Sequence, residues 1–296
     1  EDRDAPEAFR KSTRLSQHIS FLKDFFRAYK DFSDRHIDAI EIMVGKLYAR
    51  WGICDNTNFA GLKPQDYPIL SDLYELIEQE YREYDETQHQ LYTKELLQEI
   101  LLGLHSMCQG AEAQFFNGHT NVTSSRFIVF GVKGLLQASK NVRGAMLFNI
   151  LSYMSDRLLT IGNTTATLDE LYVWLSDNVS VGTTIIEYIR NTLKRVRKKE
   201  SAMLLASQNL EDFNQEGIRE LTKPLFAIPP HQFLFNAGAV DKKFYMEALQ
   251  LEESEYNLIR FPQRGVCLYR CGNERYLLEV HAPAYKEALF GKAGGR

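Results

Sequence analysis

The sequence predicts an α/β fold preceded by an all-α subdomain, and three observations carry that prediction. Apolar residues recur every three or four positions up to about residue 120. Beyond it, short apolar runs alternate with helical patterns. Near the C-terminus two strand-like runs are joined by Gly272 and Asn273. Strands alternating with helices imply a largely parallel sheet covered on both faces, with antiparallel strands appended late. The predicted division is residues 1–120 as the helical subdomain and residues 121–296 as the α/β core.

The elements follow in order. Leu15, Ile19, Leu22, Phe25, Phe26 and Tyr29 form one apolar face of a first helix. Ser33 is placed to cap a second, in which Ile37, Ile40, Met43, Leu47 and Trp51 make a stripe that Gly52 closes. After a loop holding Pro64 and Pro68, Ser71 opens a third helix with Leu73, Leu76, Ile77 and Tyr81. A fourth runs from about Gln88 to Met107. In the second part RFIVFGV (126–132) reads as a buried strand, followed by a helix carrying Val142, Leu147, Ile150, Leu151, Met154 and Leu158. Then come the short run TATLDELYVWL (165–175), a helix over about 183–198, and strands at AMLLASQ (202–208) and HQFLFNAG (231–238). The pair GVCLYRC and RYLLEVHA completes the chain's strands.

Composition narrows the function classes. With 296 residues, 44% hydrophobic and 25% charged, the chain is globular and long enough for a substantial core. A net charge of −4 argues against a globally basic nucleic-acid binder. No run of about 18 apolar residues offers a membrane span, and no signal peptide is evident. Cys54, Cys108, Cys267 and Cys271 lack metal-ligand spacing and read as thiols in a reducing cytosol.

In a parallel α/β sheet, chemistry collects at the carboxyl ends of the strands. Asp169 and Glu170 end one candidate strand, and Ser207, Gln208 and Asn209 end the next. In nucleotide hydrolysis an Asp so placed holds magnesium, and a neighbouring Glu orients or deprotonates water. An amide on the next strand can sense a terminal phosphate. Between them, KRVRKKES (194–201) supplies arginines able to reach a phosphate on a neighbouring subunit. Each feature has a plainer reading. Acids in a first helical turn, and cations in a last one, both complement the helix dipole. A Gln at a strand end can be ordinary loop. The residues alone leave both readings open. A phosphate-binding GxxxxGK[ST] loop is absent: Gly45–Lys46 and Gly291–Lys292 are followed by Leu and Ala, and neither follows a strand.

The series FFNGHTNV (115–122), RFIVFGVKGL (126–135), TATLDELYVWL, IEYIRNTLKRVRKKES (186–201), LLASQNLEDF (204–213) and FGKAGGR (290–296) resembles, in order and spacing, the C-terminal region of the VirB-type energising ATPases. These drive type IV secretion and conjugation, and the likeness is to the forms of Gram-positive conjugative elements. The resemblance implies a RecA-like P-loop NTPase core with an all-α insertion. It implies ATP and magnesium as cofactors and a hexamer, peripheral at the cytoplasmic face of the cell membrane. Other secretion subunits and the coupling protein are the implied partners, with DNA contacted indirectly if at all. Asp169 then matches the magnesium ligand, Glu170 the water-activating residue and Gln208 the sensor. Arg197 is the arginine finger, with Arg195 its alternate on the nucleotide. Two departures stand out: Thr164, Thr165 and Thr167 interrupt the strand before Asp169, and Gly131 stands where many relatives carry an acid. By the same resemblance the chain starts after the family's P-loop strand. The expectation is therefore a piece of a longer protein, with an incomplete core that is inactive alone. Two other functions fit the same residues: a non-catalytic interaction module of a secretion machine, and a DNA translocase of the FtsK or coupling-protein kind.

Overall fold

The computed structural model describes residues 13–291, apart from residues 89, 123–124, 175–178, 209, 211–212, 214–218, 237 and 239. The resemblance at Leu175, Asn209, Glu211, Asp212 and residues 292–296 lies outside the described residues. Helices and short strands are mixed, and the chain forms two compact units, Glu1–Met154 with Ser176–Thr184 and Ser155–Leu175 with Ile185–Arg296.

In the first unit, α1 (Arg14–Tyr29) starts at Thr13, whose Oγ1 accepts the Ser16 N–H at 3.1 Å. Phe25, Phe26 and Tyr29 are buried as predicted, while Leu15, Ile19 and Leu22 are half-buried. α2 (Asp34–Arg50) buries Ile37, Ile40, Met43 and Leu47, and Gly52 ends it at φ 69°. The stripe stops short of Trp51, which is 42% exposed. Ser33 holds the cap position, but its hydroxyl meets His36 Nδ1 at 2.6 Å instead of capping an amide. α3 (Leu70–Arg82) begins one residue before Ser71, because the Asp72 carboxylate accepts the Ile69 N–H at 2.7 Å. α4 (Lys94–Cys108) starts several residues later than predicted, where Thr93 Oγ1 accepts the Leu96 N–H. Ile77, Leu97, Ile100, Leu104 and Met107 are fully buried beside Phe26 and Met43 in this unit's core. Each such side chain is worth about 1.5–3 kcal/mol in transfer free energy.

A short helix α5 (Ala113–Phe116) precedes the largest departure from the sequence reading. Residues 126–132 form no strand; Phe127 is 82% and Val129 74% exposed. Exposed and half-buried residues alternate along the run, the pattern of an extended segment lying on a surface, yet among the described residues no strand of this unit pairs with it. A strand is defined by its ladder, and apolar character alone does not make one. α6 (Lys140–Asp156) follows, burying Val142, Leu147 and Leu151.

The second unit holds all five described strands. β1 (Thr165–Leu168) pairs in parallel with β2 (Ala202–Leu205), Leu168 opposite Leu205. Between them in sequence run α7 (Val179–Val196), which belongs to this unit from Ile185 onward, and a 3-10 turn over Arg197–Lys199. α8 (Arg219–Ala227) leads to β3 (His231–Leu234). α9 (Lys242–Leu249) and α10 (Glu253–Leu258) precede the hairpin of β4 (Val266–Cys271) and β5 (Glu274–Glu279), and α11 (Ala284–Phe290) comes last. β3, β4 and β5 form a separate antiparallel sheet, with the hairpin turning at Gly272 as its GlyAsn pair predicts. Leu234 and Leu268 of that sheet pack with Tyr245, Leu249, Leu251 and Ile259. The described sheet is thus two small sheets, not one continuous one.

Among the described residues the edges of both sheets are unpaired. Ala202 N–H donates to Thr164 O and Ala206 N–H to Leu168 O, both at 2.9 Å, so the even residues of β2 face β1. Met203 and Leu205 therefore direct their N–H and C=O to the opposite edge, where no described strand lies. That edge, AMLL, carries no charge, proline or bulge to protect it. On β3 the same parity, set by Gly272 N–H to Pro230 O, turns His231 and Phe233 outward.

Gly162 ties the approaches to β1 and β2 together. Its φ is 76°, and a Cβ there would stand 2.8 Å from the Lys199 carbonyl oxygen, the atom that accepts the Asn163 N–H at 3.0 Å. Gly162→Ala is expected to destabilise the protein by about 1–3 kcal/mol. A urea midpoint unchanged from wild type would contradict that tight approach.

The four cysteines are free thiols, and burial pushes that of Cys108 up to about 12. Among the described residues no helix is long and apolar enough to cross a membrane.

Candidate functional site

The parallel register decides which residues meet. Because Leu168 lies opposite Leu205, the residues just past them, 169–170 and 206–208, emerge at the same end of the pair. Leu171 N–H donates to Ala206 O at 2.8 Å and fastens the two exits together. There the Gln208 side-chain amide donates to Glu170 Oε1 at 2.6 Å. Asp169 is exposed beside them, its Oδ1 accepting the Glu170 N–H at 2.9 Å.

The interrupting threonines are explained by the strand's two faces. Ala166 and Leu168 are buried while Thr165 and Thr167 are exposed, so β1 is half-buried and alternates. Asp169 and Glu170 are not in a first helical turn either. The helical segment after them is a four-residue 3-10 turn, Leu171–Trp174, and Glu170 sits before it at φ 51°. A left-handed, non-glycine residue at a strand end is the kind of strained position that gathers at functional sites. Buried Leu171, Val173 and Trp174 anchor the turn, so the Glu170 backbone is held while its side chain stays partly open to solvent. Neither the positive φ nor the direct Glu170–Gln208 contact is visible in the sequence. The signal that bears on the contact is the offset between the strands, which places Gln208 one residue past the position opposite Glu170.

Arg195 and Arg197 lie elsewhere. Arg195 is in the last turn of α7 and Arg197 begins the 3-10 turn before β2; both are exposed. Lys199 O accepts the Asn163 N–H, so this turn sits at the amino ends of β1 and β2. The length of β2, on the order of 10 Å, separates it from the end that carries Glu170 and Gln208. Lys194, Arg195, Arg197, Lys198 and Lys199 form no salt bridge among the described residues, a concentrated positive patch on an acidic chain. As cations at a helix C-terminus they also complement the α7 dipole.

The chemistry available at the carboxyl ends is one exposed carboxylate and a second carboxylate held by an amide. An exposed Asp oxygen suits a hard cation such as magnesium, which keeps several waters and takes few protein ligands. Among the described residues no group of three or more His, Cys, Asp or Glu could enclose a metal without such outside ligands. The Gly45–Lys46 pair is no phosphate loop: it lies inside α2, and the Lys46 ammonium donates to Glu80 at 2.6 Å and Tyr92 at 2.8 Å. Burial pushes the Glu80 carboxyl up, but the hydrogen bonds from Lys46 and Tyr92 outweigh it and hold it below its ordinary value.

No protein-family description and no curated protein matches this sequence. Among solved structures the chain is similar to VirB4 of Thermoanaerobacter pseudethanolicus, with a TM-score of 0.80 and 27% sequence identity. The match covers 93% of this chain and 71% of that one. The likeness extends over both compact units and supports a VirB4-like ATPase.

Proposed function

We propose that this chain is the motor region of a VirB4-type ATPase that powers type IV secretion or conjugation, of the kind found in Gram-positive conjugative elements. The observation that carries the reading is the meeting of Asp169, Glu170 and Gln208 at the carboxyl end of a parallel strand pair, in a chain with a VirB4-like fold. Asp169 is the magnesium ligand, Glu170 the group that orients and deprotonates water, and Gln208 the sensor of the terminal phosphate. Bound magnesium would supply charge neutralisation on the phosphates. The residues of the chain position the water and report the phosphate. Arg197 acts as an arginine finger on a neighbouring subunit, with Arg195 as alternate, in a hexamer at the cytoplasmic face of the membrane. Other secretion subunits and the coupling protein are its partners.

The core in this reading is RecA-like and incomplete. The unprotected apolar edge at Met203 and Leu205, and the second edge at His231 and Phe233, support a further strand that belongs with these residues and carries the phosphate loop. Residues 1–120 are the helical subdomain and 121–296 the motor core. The packing of 126–154 with the helical unit is accounted for by the same gap, since 126–132 joins no sheet among the described residues.

Calorimetric titration with ATP and magnesium tests the reading. The intact protein should bind ATP, and the present chain should bind it at least about 100-fold more weakly, because charge-assisted phosphate contacts worth about 1.5–3 kcal/mol each are missing. Equal affinities would overturn the incomplete cradle. An intact protein that binds no nucleotide would overturn the ATPase.

A further inference from the structure

We infer that the hydrogen bond between Gln208 and Glu170 is a latch that the terminal phosphate of the bound nucleotide must open. The inference rests on the roles proposed above and adds regulation to them. Gln208 Nε2 donates to Glu170 Oε1 at 2.6 Å, a short bond to a carboxylate oxygen. Glu170 cannot move away as a backbone unit. Its own N–H is bound to Asp169 Oδ1, the next N–H to Ala206 O, and Leu171, Val173 and Trp174 are buried. Only its side chain can swing. Gln208 is exposed at the end of β2, with its amide turned back onto the carboxylate.

A side-chain amide has two N–H groups, so it could in principle hold a carboxylate and a phosphate together. Two anions that share one amide nitrogen stand within a few ångströms of each other and repel. A terminal phosphate that recruits Gln208 therefore displaces Glu170, and the displaced carboxylate is free to take a water. Without that phosphate the carboxylate stays engaged. ADP, which lacks the terminal group, leaves the latch closed. Glu170 is thereby kept from activating water until a triphosphate is seated.

The test is a double-mutant cycle on nucleotide affinity in the intact protein, using Glu170→Ala and Gln208→Ala. Wild type spends part of its binding free energy on breaking the latch, so Glu170→Ala tightens ATP. The factor by which it tightens ATP in the presence of Gln208 should exceed that in the Gln208→Ala background by about three- to tenfold. Simple repulsion between Glu170 and phosphate acts in both backgrounds and cancels. For ADP the two factors should be equal. ATP factors equal within twofold, or the same coupling with ADP, would overturn the latch. A second measurement uses the present chain: the side-chain amide signal of Gln208 in a 15N-correlated NMR spectrum should shift when Glu170→Ala is introduced. An unmoved signal sinks the latch whatever ATP does, whereas a shifted signal with no ATP binding by the intact protein sinks the ATPase reading instead.

Discussion

Glu170→Gln in the intact protein lowers ATP turnover by about 10²- to 10⁴-fold, the range of a general base or water-orienting residue, while ATP still binds. The expectation comes from position as much as from residue type. Glu170 is held at φ 51° between a paired strand and a buried 3-10 turn, so its carboxylate is delivered to one place at the end of the parallel pair. The substitution keeps size and one acceptor oxygen but cannot take a proton from water. It should cost little stability, because the side chain is only half-buried and its single described side-chain bond, from Gln208, is that of a partly exposed site. Thermal unfolding alongside the turnover assay separates loss of chemistry from loss of fold. Turnover within threefold of wild type, in protein that unfolds normally, would remove Glu170 from the mechanism.

The candidate site is half legible in the sequence. Asp169, Glu170 and Gln208 are of the types that nucleotide chemistry needs, and a parallel sheet brings strand ends together, so sequence reasoning could select them. It could not tell a helix start from a strand exit, because acids are favoured in both. That distinction lies in the backbone of Glu170 and in the burial of Leu171, Val173 and Trp174. The threonines of β1 are at odds only with a strand buried on both faces; one buried face and one exposed face accommodate them.

Elsewhere the local rules worked where the partner is local. The stripes of α1 and α2 and the GlyAsn turn of the hairpin are set by residues within a few positions. RFIVFGV failed because a strand depends on a neighbour distant in sequence, and none is described beside it. Helix starts shifted for a similar reason. Asp72 and Thr93 satisfy free amides better than Ser71 or Gln88, a competition that spacing patterns do not weigh. The open edges of β2 and β3 belong to the same class of fact: the residues AMLL specify a strand but not what pairs with it.

Arg197→Ala is expected to lower turnover of the intact oligomer by about 10³-fold or more, the loss that removal of an arginine finger causes, and equal mixing with Glu170→Gln to restore part of it. The second half of this expectation follows from the proposed roles and from where the two residues lie. Arg197 sits on a turn fixed by Ser201 N–H to Val196 O at 3.2 Å and by Asn163 N–H to Lys199 O, at the amino ends of β1 and β2. Glu170 is at their carboxyl ends, with the length of β2 between. An arginine at the end of the pair opposite the carboxylate of its own subunit is expected to complete a site that another subunit opens. In a ring assembled at random from the two variants, a site is whole when its Glu170 comes from an Arg197→Ala subunit and its finger from a Glu170→Gln neighbour. That occurs at about one site in four, so recovery should approach a quarter of wild-type turnover. A finger acting within its own subunit gives no recovery at all, since every subunit lacks one of the two residues. Arg195→Ala in the same mixing assay distinguishes the alternate: if it, and not Arg197→Ala, is complemented by Glu170→Gln, the finger is the last helical turn of α7 and not the 3-10 turn that follows. Exposure of both arginines means that either variant should fold as wild type does, which thermal unfolding checks.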